Sequence, residues 1–481
     1  MSTYDVDVAI LGAGTAGMAA YRAAAQHTDR IALLDGGPLG TTCARVGCMP
    51  SKLLIAAAGT AQAARGTDRF GIYVDAPRID GAAVMQRLRD ERDRFVGFVM
   101  DAVESFPDRH VIREKAVFVD DHTLKLTSGR TLTARAVVIA TGARPNIVAP
   151  LQGLGDRLYT SEGLFDWHDL PASAAVFGAG LVGLELGQAL HRLGVRMRLF
   201  GRDHAVGPIS DPEVRRHAAK LFEAEFPVHW HADSEVTRGE AGVTVRWSDA
   251  DDDDAPQHEE EFDCVVAATG RTPNVDRLGL EATSLPLDDR GAPIFDALSM
   301  RVAQTHVFMA GDASADLPLL HEAADEGRIA GENAALLPDA YRKARRTPLS
   351  IVFSDPQIAM VGASHAELTE AGTDFVTGAV DFADQGRARV MGQNAGLLRL
   401  YAQRDTGCLL GAEMACPAAE HIGHLLAWSI SDGATVDQML ERPFYHPTLE
   451  EGLRTALRNT SHALGMAPTP PLRSIDCGPG A

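Results

Sequence analysis

The feature that most constrains this chain is a glycine pattern that occurs twice. Val6 to Leu11 is a short apolar run that ends in Gly12-Ala-Gly14-Thr-Ala-Gly17 and opens an Ala-rich stretch of helical spacing, Met18 to Gln26. Ala174 to Phe177 leads in the same way into Gly178-Ala-Gly180-Leu-Val-Gly183 and the helical stretch Leu184 to Leu193. Strand, tight turn and helix around G-x-G-x-x-G make a dinucleotide-binding unit, because the glycines let backbone approach a pyrophosphate at a helix N-terminus. One such pattern is weak, since glycines also serve ordinary helix–sheet packing. Two, each between a strand and a helix, predict an α/β chain with two Rossmann-like units.

An acid about 20 residues past the first glycine binds the adenosine ribose. In the first unit it is Asp35, 23 residues after Gly12 at the end of the run Ile31 to Leu34. That suits a ribose without a 2′-phosphate, as in FAD. The equivalent position of the second unit holds Gly201, followed by Arg202. A cation there accommodates a 2′-phosphate through charge-assisted hydrogen bonds, so the second nucleotide leans from NAD to NADP. The plainer alternative is a solvated arginine in a chain with only five lysines. Two further runs, Val137 to Thr141 before Gly142-Ala-Arg-Pro and Cys264 to Thr269 before Gly270-Arg-Thr-Pro, read as buried strands that close the two units.

From Thr347 onward strands such as Ser350 to Phe353 and Leu397 to Ala402 alternate with helices, without another glycine fingerprint. This is a third domain that binds no nucleotide. The boundaries expected are 1–147 for the FAD unit, 148–273 for the NAD(P) unit, 274–346 for a segment completing the FAD unit, 347–466 for the third domain and 467–481 for a Pro/Gly-rich tail. Residues Asp249 to Glu261 read as a solvated hairpin loop. Its carboxylates lack EF-hand spacing, so no metal is expected there.

Charge and composition narrow the function. A net charge of −20 repels phosphate backbones and speaks against nucleic acid. No apolar run reaches the ~18 residues a membrane helix needs, and Met1 to Asp7 carries no basic residue, so a cytoplasmic protein is expected. Six cysteines in 481 residues are too few for a disulfide framework, and a close pair is then more often catalytic or metal-binding.

That pair is Cys43 and Cys48, in Gly40-Thr-Thr-Cys43-Ala-Arg-Val-Gly-Cys48-Met-Pro50-Ser-Lys52. On a regular helix, residues five apart rise about 7.5 Å and point about 140° apart, so a bridge between them would be strained and easily reduced. Gly47 and Pro50 both weaken regular helix and could bring the sulfurs together. A thiol at a helix start favours its thiolate and can attack another disulfide. Zinc is the competing reading, but Cys264, Cys408, Cys416 and Cys477 are scattered and no metal site is expected.

Lys52 lies one helical turn past Cys48, and Glu185 follows the second fingerprint directly. A lysine beside a flavin would stabilise charge on the ring, with a carboxylate to hold it. Near the C-terminus, His446-Pro-Thr448-Leu-Glu-Glu451 fits a T-x-x-E capping box opening a helix from Leu449 to Leu457. It also fits a His general base oriented by a carboxylate.

Together these segments resemble the FAD-dependent pyridine nucleotide-disulfide oxidoreductases, over nearly the whole chain. The most specific element is GTTCARVGCMPSK at Gly40 to Lys52; the ATG turns, His306-Val-Phe-Met-Ala-Gly311-Asp312 and HPTLEE at His446 to Glu451 support it. The resemblance implies that Cys43 is the interchange thiol and Cys48 the charge-transfer thiol of a redox disulfide. It implies that Thr141, Gly142, Gly270, Gly311 and Asp312 lie along the cofactors, with Asp312 at the ribityl chain, and that Lys52 and Glu185 form a flavin-side ion pair. His446 and Glu451 become an acid–base dyad that reaches the thiols of the other subunit of a homodimer, and the third domain becomes an α+β dimerisation domain. Within the family, Pro50-Ser51-Lys52 is similar to dihydrolipoyl dehydrogenase or mercuric reductase, and His446 favours the former. Gly201-Arg202 departs from it. The implied substrate is a small dithiol such as dihydrolipoamide, free or on a lipoyl domain. The alternatives are an NADPH-dependent reductase of another disulfide or of Hg(II), and a non-catalytic flavin-binding subunit of a multienzyme complex.

Overall fold

A computed structural model describes residues 4–252 and 254–465, which form two compact units. The expected tail 467–481, with Cys477, lies outside the described residues. One unit comprises the chain up to Ser51, Gln86–Asn146 and Gly270–Arg345; the other comprises Lys52–Met85, Ile147–Thr269 and the chain from Arg346.

In the first unit a parallel sheet runs in the order Val111–Ile112, Ile31–Leu34, Val6–Leu11, Thr131–Ile139, Val307–Met309. Its central strands are largely apolar and contribute side chains to a core on both faces. Helices Thr15–Ala24 and Leu320–Leu336 cover one face, and they touch through backbone. A Cβ on Gly327 would lie 2.2 Å from Ala16 O, and one on Gly331 2.1 Å from Ala20 O. Neither helix can yield without disturbing the sheet beneath. Gly331→Ala is therefore expected to cost about 1–3 kcal/mol by overpacking. The check is a lower urea midpoint with unchanged slope.

The second unit holds its own parallel sheet, in the order Val228–His229, Arg196–Phe200, Ser173–Phe177, Cys264–Ala267, Leu158–Thr160. Beside it lies the antiparallel set Ala232–Arg238, Val243–Asp249, His258–Phe262. A five-stranded antiparallel sheet follows, in the order Leu349–Val352, Gln357–Gly362, Leu409–Cys416, Leu397–Gln403, Phe375–Asp381, packed against helices Ala419–Ser431 and Glu451–Ala463. Buried carboxylates join the two folds of this unit. Glu413 accepts the Ser210, Asp211 and His365 amides at 2.7–2.8 Å. Asp211 caps helix Pro212–Glu225 and accepts the Tyr401 hydroxyl at 2.9 Å. Burial pushes the Tyr401 phenol far above its ordinary range, so it remains a donor.

Several sequence expectations change in detail. Both fingerprint helices begin inside the glycine pattern, at Thr15 and Leu181, because the last glycine of each belongs to the first turn. The strands before the two Gly-Arg-Pro turns lie in separate sheets, Thr131–Ile139 in the first and Cys264–Ala267 in the second, while the turns themselves meet. Ala143–Pro145 and Arg271–Pro273 pair with one another as an antiparallel ribbon. The acidic run is only half a loop, since His258–Phe262 is a strand in which Glu259 pairs with Arg246 and Glu260 with Arg196 and Arg198.

Candidate active site

The two nucleotide turns share one construction. Gly12 and Gly178 have φ of 108° and 110°, and a Cβ on either would lie 2.3 Å from a carbonyl oxygen of the neighbouring strand end, Ala140 or Ala268. Gly14 and Gly180 are the N-cap residues of the helices that follow; they make no side-chain cap, and a Cβ on either would meet nothing within 4 Å. A helix start with no side-chain cap and no Cβ in the way is what lets a pyrophosphate reach first-turn amides. Gly17 and Gly183 close the turns from behind, where a Cβ would run into Gly12 O and Gly178 O.

Asp35 stands at the end of the second strand, as expected, and also braces the turn. One carboxylate oxygen accepts the Ala13 amide at 2.8 Å and the other the Gly37 amide at 2.7 Å. Each oxygen keeps a lone pair for a ribose hydroxyl. At Gly201 the missing acid has a steric reason. A Cβ there would lie 2.9 Å from both Ala179 Cβ and Trp230 O. Arg202 is 84% exposed and 3.1 Å from Asp203.

Cys43 lies in the short helix Thr42–Val46, half-buried, and Cys48 is the exposed first residue of helix Cys48–Arg65. The break falls at Gly47, with φ −130° and ψ −117°. Pro50 does not contribute to it; it sits in the first turn, where a missing N–H costs nothing. The helix N-terminus at Cys48 favours a thiolate there. Thr41, which caps the shorter helix through Ala44 N–H at 3.2 Å, holds an unusual φ of 31° just before the thiols. Burial pushes the Cys264 thiol up to about 12 and the Cys416 thiol higher still, so neither ionises near neutral pH.

The ATG turn is held by its counterpart. Thr141 Oγ1 donates to the Asn274 carbonyl at 2.9 Å, and Asn274 Nδ2 returns a bond to the Thr141 carbonyl at 3.0 Å. Gly142 and Gly270 both take positive φ. Asp312, in the turn Gly311–Ala313, lies 3.9 Å from Arg271. Buried Glu326 accepts the Gly311 amide at 2.7 Å and pairs with Arg345 at 3.0 Å. Asn274 and Glu326 escaped the sequence reading because their partners lie far along the chain or in a turn without periodicity.

The second unit holds two ion pairs of its own among the expected site residues. Lys52 Nζ donates to both oxygens of Glu185, at 2.9 and 2.7 Å, with Glu185 3% exposed. The Phe353 amide also donates to Glu185 at 2.9 Å, and Lys52 Nζ lies 4.7 Å over the Phe353 ring. His446 Nδ1 meets Glu451 at 3.0 and 3.1 Å, leaving Nε2 on an imidazole that is 61% exposed. The capping box forms only by half. Glu451 accepts the Thr448 amide at 3.0 Å, but Thr448 Oγ1 donates to the Tyr445 carbonyl and the helix starts at Glu451.

The first unit holds one glycine turn with the Cys43 and Cys48 thiols, and the second holds another glycine turn with a carboxylate-bound imidazole, residue types suited to nucleotide-dependent dithiol–disulfide redox chemistry. The family described as pyridine nucleotide-disulphide oxidoreductase matches residues 6–327, and its dimerisation domain matches residues 349–457. The chain belongs to that family, as a class I flavoprotein disulfide oxidoreductase that uses FAD and a pyridine nucleotide. It is 30% identical over 480 residues to dihydrolipoyl dehydrogenase of Haloferax volcanii, covering 96% of this chain and 97% of that one. It is 32% identical over 470 residues to mercuric reductase of Streptomyces lividans, covering 94% and 95%. The solved structure of LpdA from Mycobacterium tuberculosis superposes with a TM-score of 0.80 at 26% identity, covering 94% of this chain and 99% of that one. The dimerisation domain supports a homodimer. No helix among the described residues is long and apolar enough to cross a membrane.

Proposed function

We propose that the chain is a dihydrolipoyl dehydrogenase-like enzyme in which Cys43 and Cys48 exchange a redox disulfide with a dithiol such as dihydrolipoamide, free or on a lipoyl domain. The observation that carries this reading is the His446–Glu451 dyad together with a thiol at the first residue of a helix. Each substrate sulfur attacks in turn, the substrate leaves as its disulfide, and both enzyme sulfurs become thiols. Two electrons and two protons pass from substrate to enzyme. His446 Nε2 takes a proton as the substrate thiol becomes the attacking thiolate, and Glu451 holds the tautomer that leaves this nitrogen basic. Cys43 is the interchange thiol and Cys48 its resolving partner.

The glycine turns fit FAD on one unit and the nicotinamide nucleotide on the other; Asp35 would hold the adenosine ribose and Asp312 the ribityl chain. FAD supplies the two-electron relay between nicotinamide and thiols. Lys52, fixed by Glu185, offers a held cation for charge developing on the ring.

Crowding at position 201, where a Cβ would lie 2.9 Å from Ala179 Cβ and Trp230 O, and the neighbouring Arg202 favour NADP(H) over NAD(H). The same feature supports a second reading, an NADPH-driven reductase of another disulfide or of Hg(II). Initial rates with NADH and NADPH against lipoamide, oxidised glutathione and Hg²⁺ separate the two. Arg202→Ala is expected to lower kcat/KM for NADPH about 10- to 100-fold, the worth of a lost charge-assisted hydrogen bond, and to leave NADH rates unchanged. Equal effects on both nucleotides would remove Arg202 from the site.

A further inference from the structure

Outside the redox machinery, one cluster brings together three side chains with metal-binding chemistry. His204, His231 and Asp251 offer ligand atoms that all lie within 4.8 Å of one another. His204 Nε2 is 2.8 Å from one oxygen of Asp251, and His231 Nδ1 is 3.1 Å from the other. The two rings meet edge to face at 4.9 Å. We propose that these residues form a site for a divalent transition-metal ion of the zinc or nickel type, held by two imidazole nitrogens and one carboxylate.

Donor atoms at ~2.0–2.2 Å from a tetrahedral ion are separated by about 3.4 Å. The two nitrogen–oxygen separations need open only slightly to admit an ion. The site is also built into the sheet. Ala232 pairs with Asp249 in the antiparallel ladder, and the Ala250 amide donates to the His231 carbonyl at 3.1 Å, so His231 and Asp251 stand on adjoining strand ends. The Gly201 amide donates to the His229 carbonyl at 2.7 Å and the Ala232 amide to the Gly201 carbonyl at 3.3 Å. These bonds fasten the 201–204 segment to the same strand. His204 ends it in the left-handed region, at φ 54°.

The surrounding charge favours a cation. Among the described residues within three positions of a ligand, Asp203, Asp233, Asp249, Asp252 and Asp254 are acidic and Arg202 is the only arginine or lysine. Two imidazoles with one carboxylate select a borderline transition metal over Ca²⁺ or Mg²⁺, which prefer all-oxygen shells. Three protein ligands leave coordination positions open to solvent or to an anion.

The test is Zn²⁺ titration of the FAD-loaded full chain by calorimetry, in a Cys43→Ser/Cys48→Ser background so that the redox thiols contribute no ligand. One equivalent of Zn²⁺ per chain is expected. His204→Ala, His231→Ala and Asp251→Asn should each weaken it at least ~10-fold, with flavin content unchanged. No zinc binding in the double-serine background, or binding that survives all three substitutions, would overturn the proposal.

Discussion

Cys48→Ser should abolish dithiol turnover, by ~10³-fold or more, while the protein keeps its flavin. The fold predicts the separation. Cys48 begins helix Cys48–Arg65 and is exposed, whereas the elements proposed to hold FAD are the Gly12 to Gly17 turn, Asp35 and the Gly311 turn, none of which makes a bond to the Cys48 side chain that a hydroxyl would remove. Serine cannot form the bridge, and its hydroxyl has no accessible anion near neutral pH to replace the thiolate that the helix terminus favours. The measurement is reduction of NAD(P)⁺ by dihydrolipoamide, alongside flavin absorbance of the dialysed protein. Turnover within a few fold of the parent would end the dithiol mechanism.

His446→Ala is expected to slow the dithiol reaction about 10²- to 10⁴-fold, the usual worth of a positioned acid–base group. The side chain is largely exposed, so its removal leaves no cavity. Glu451→Gln should cost less. It keeps the shape and an acceptor for the Thr448 amide but withdraws the charge that orients the imidazole. Oxidation of NAD(P)H by ferricyanide bypasses the thiols and is expected to stay at parental rates in both variants. Loss of that rate as well would point to damaged folding, and full dithiol turnover in His446→Ala would remove the histidine from the reaction.

What could be read from the sequence followed from local rules. Each glycine turn is set by its own strand and helix, so Gly12 to Gly17, Gly178 to Gly183 and Asp35 were legible without tertiary information. The same holds for Cys43 and Cys48, whose spacing carries its own chemistry. Lys52 and Glu185 are 133 positions apart, and only their flanking motifs suggested the pair. The T-x-x-E pattern at Thr448 matched a capping box, yet the Thr448 hydroxyl found the nearer Tyr445 carbonyl and only half the box formed. The glycine at 201 looked like a lost acid, although crowding against Ala179 and Trp230 explains it. The run from Asp249 to Glu261 reads as a hairpin loop from its charges and spacing. Cross-strand pairing to Arg196, Arg198 and Arg246 and the imidazoles around Asp251 depend on neighbours that composition does not reveal.

Glu185 also limits how this scaffold can be recombined. Its carboxylate belongs to the helix of the second fingerprint, accepts hydrogen bonds from Lys52 Nζ of the helix that begins at Cys48, and accepts one from the Phe353 amide of the segment after strand Leu349–Val352. Three stretches distant in sequence meet on one buried anion, and removing it would strand an ammonium and an amide together. A chimaera that imports a foreign nucleotide module to change coenzyme preference must therefore carry glutamate at this helical position, whatever else is exchanged between Ile147 and Thr269.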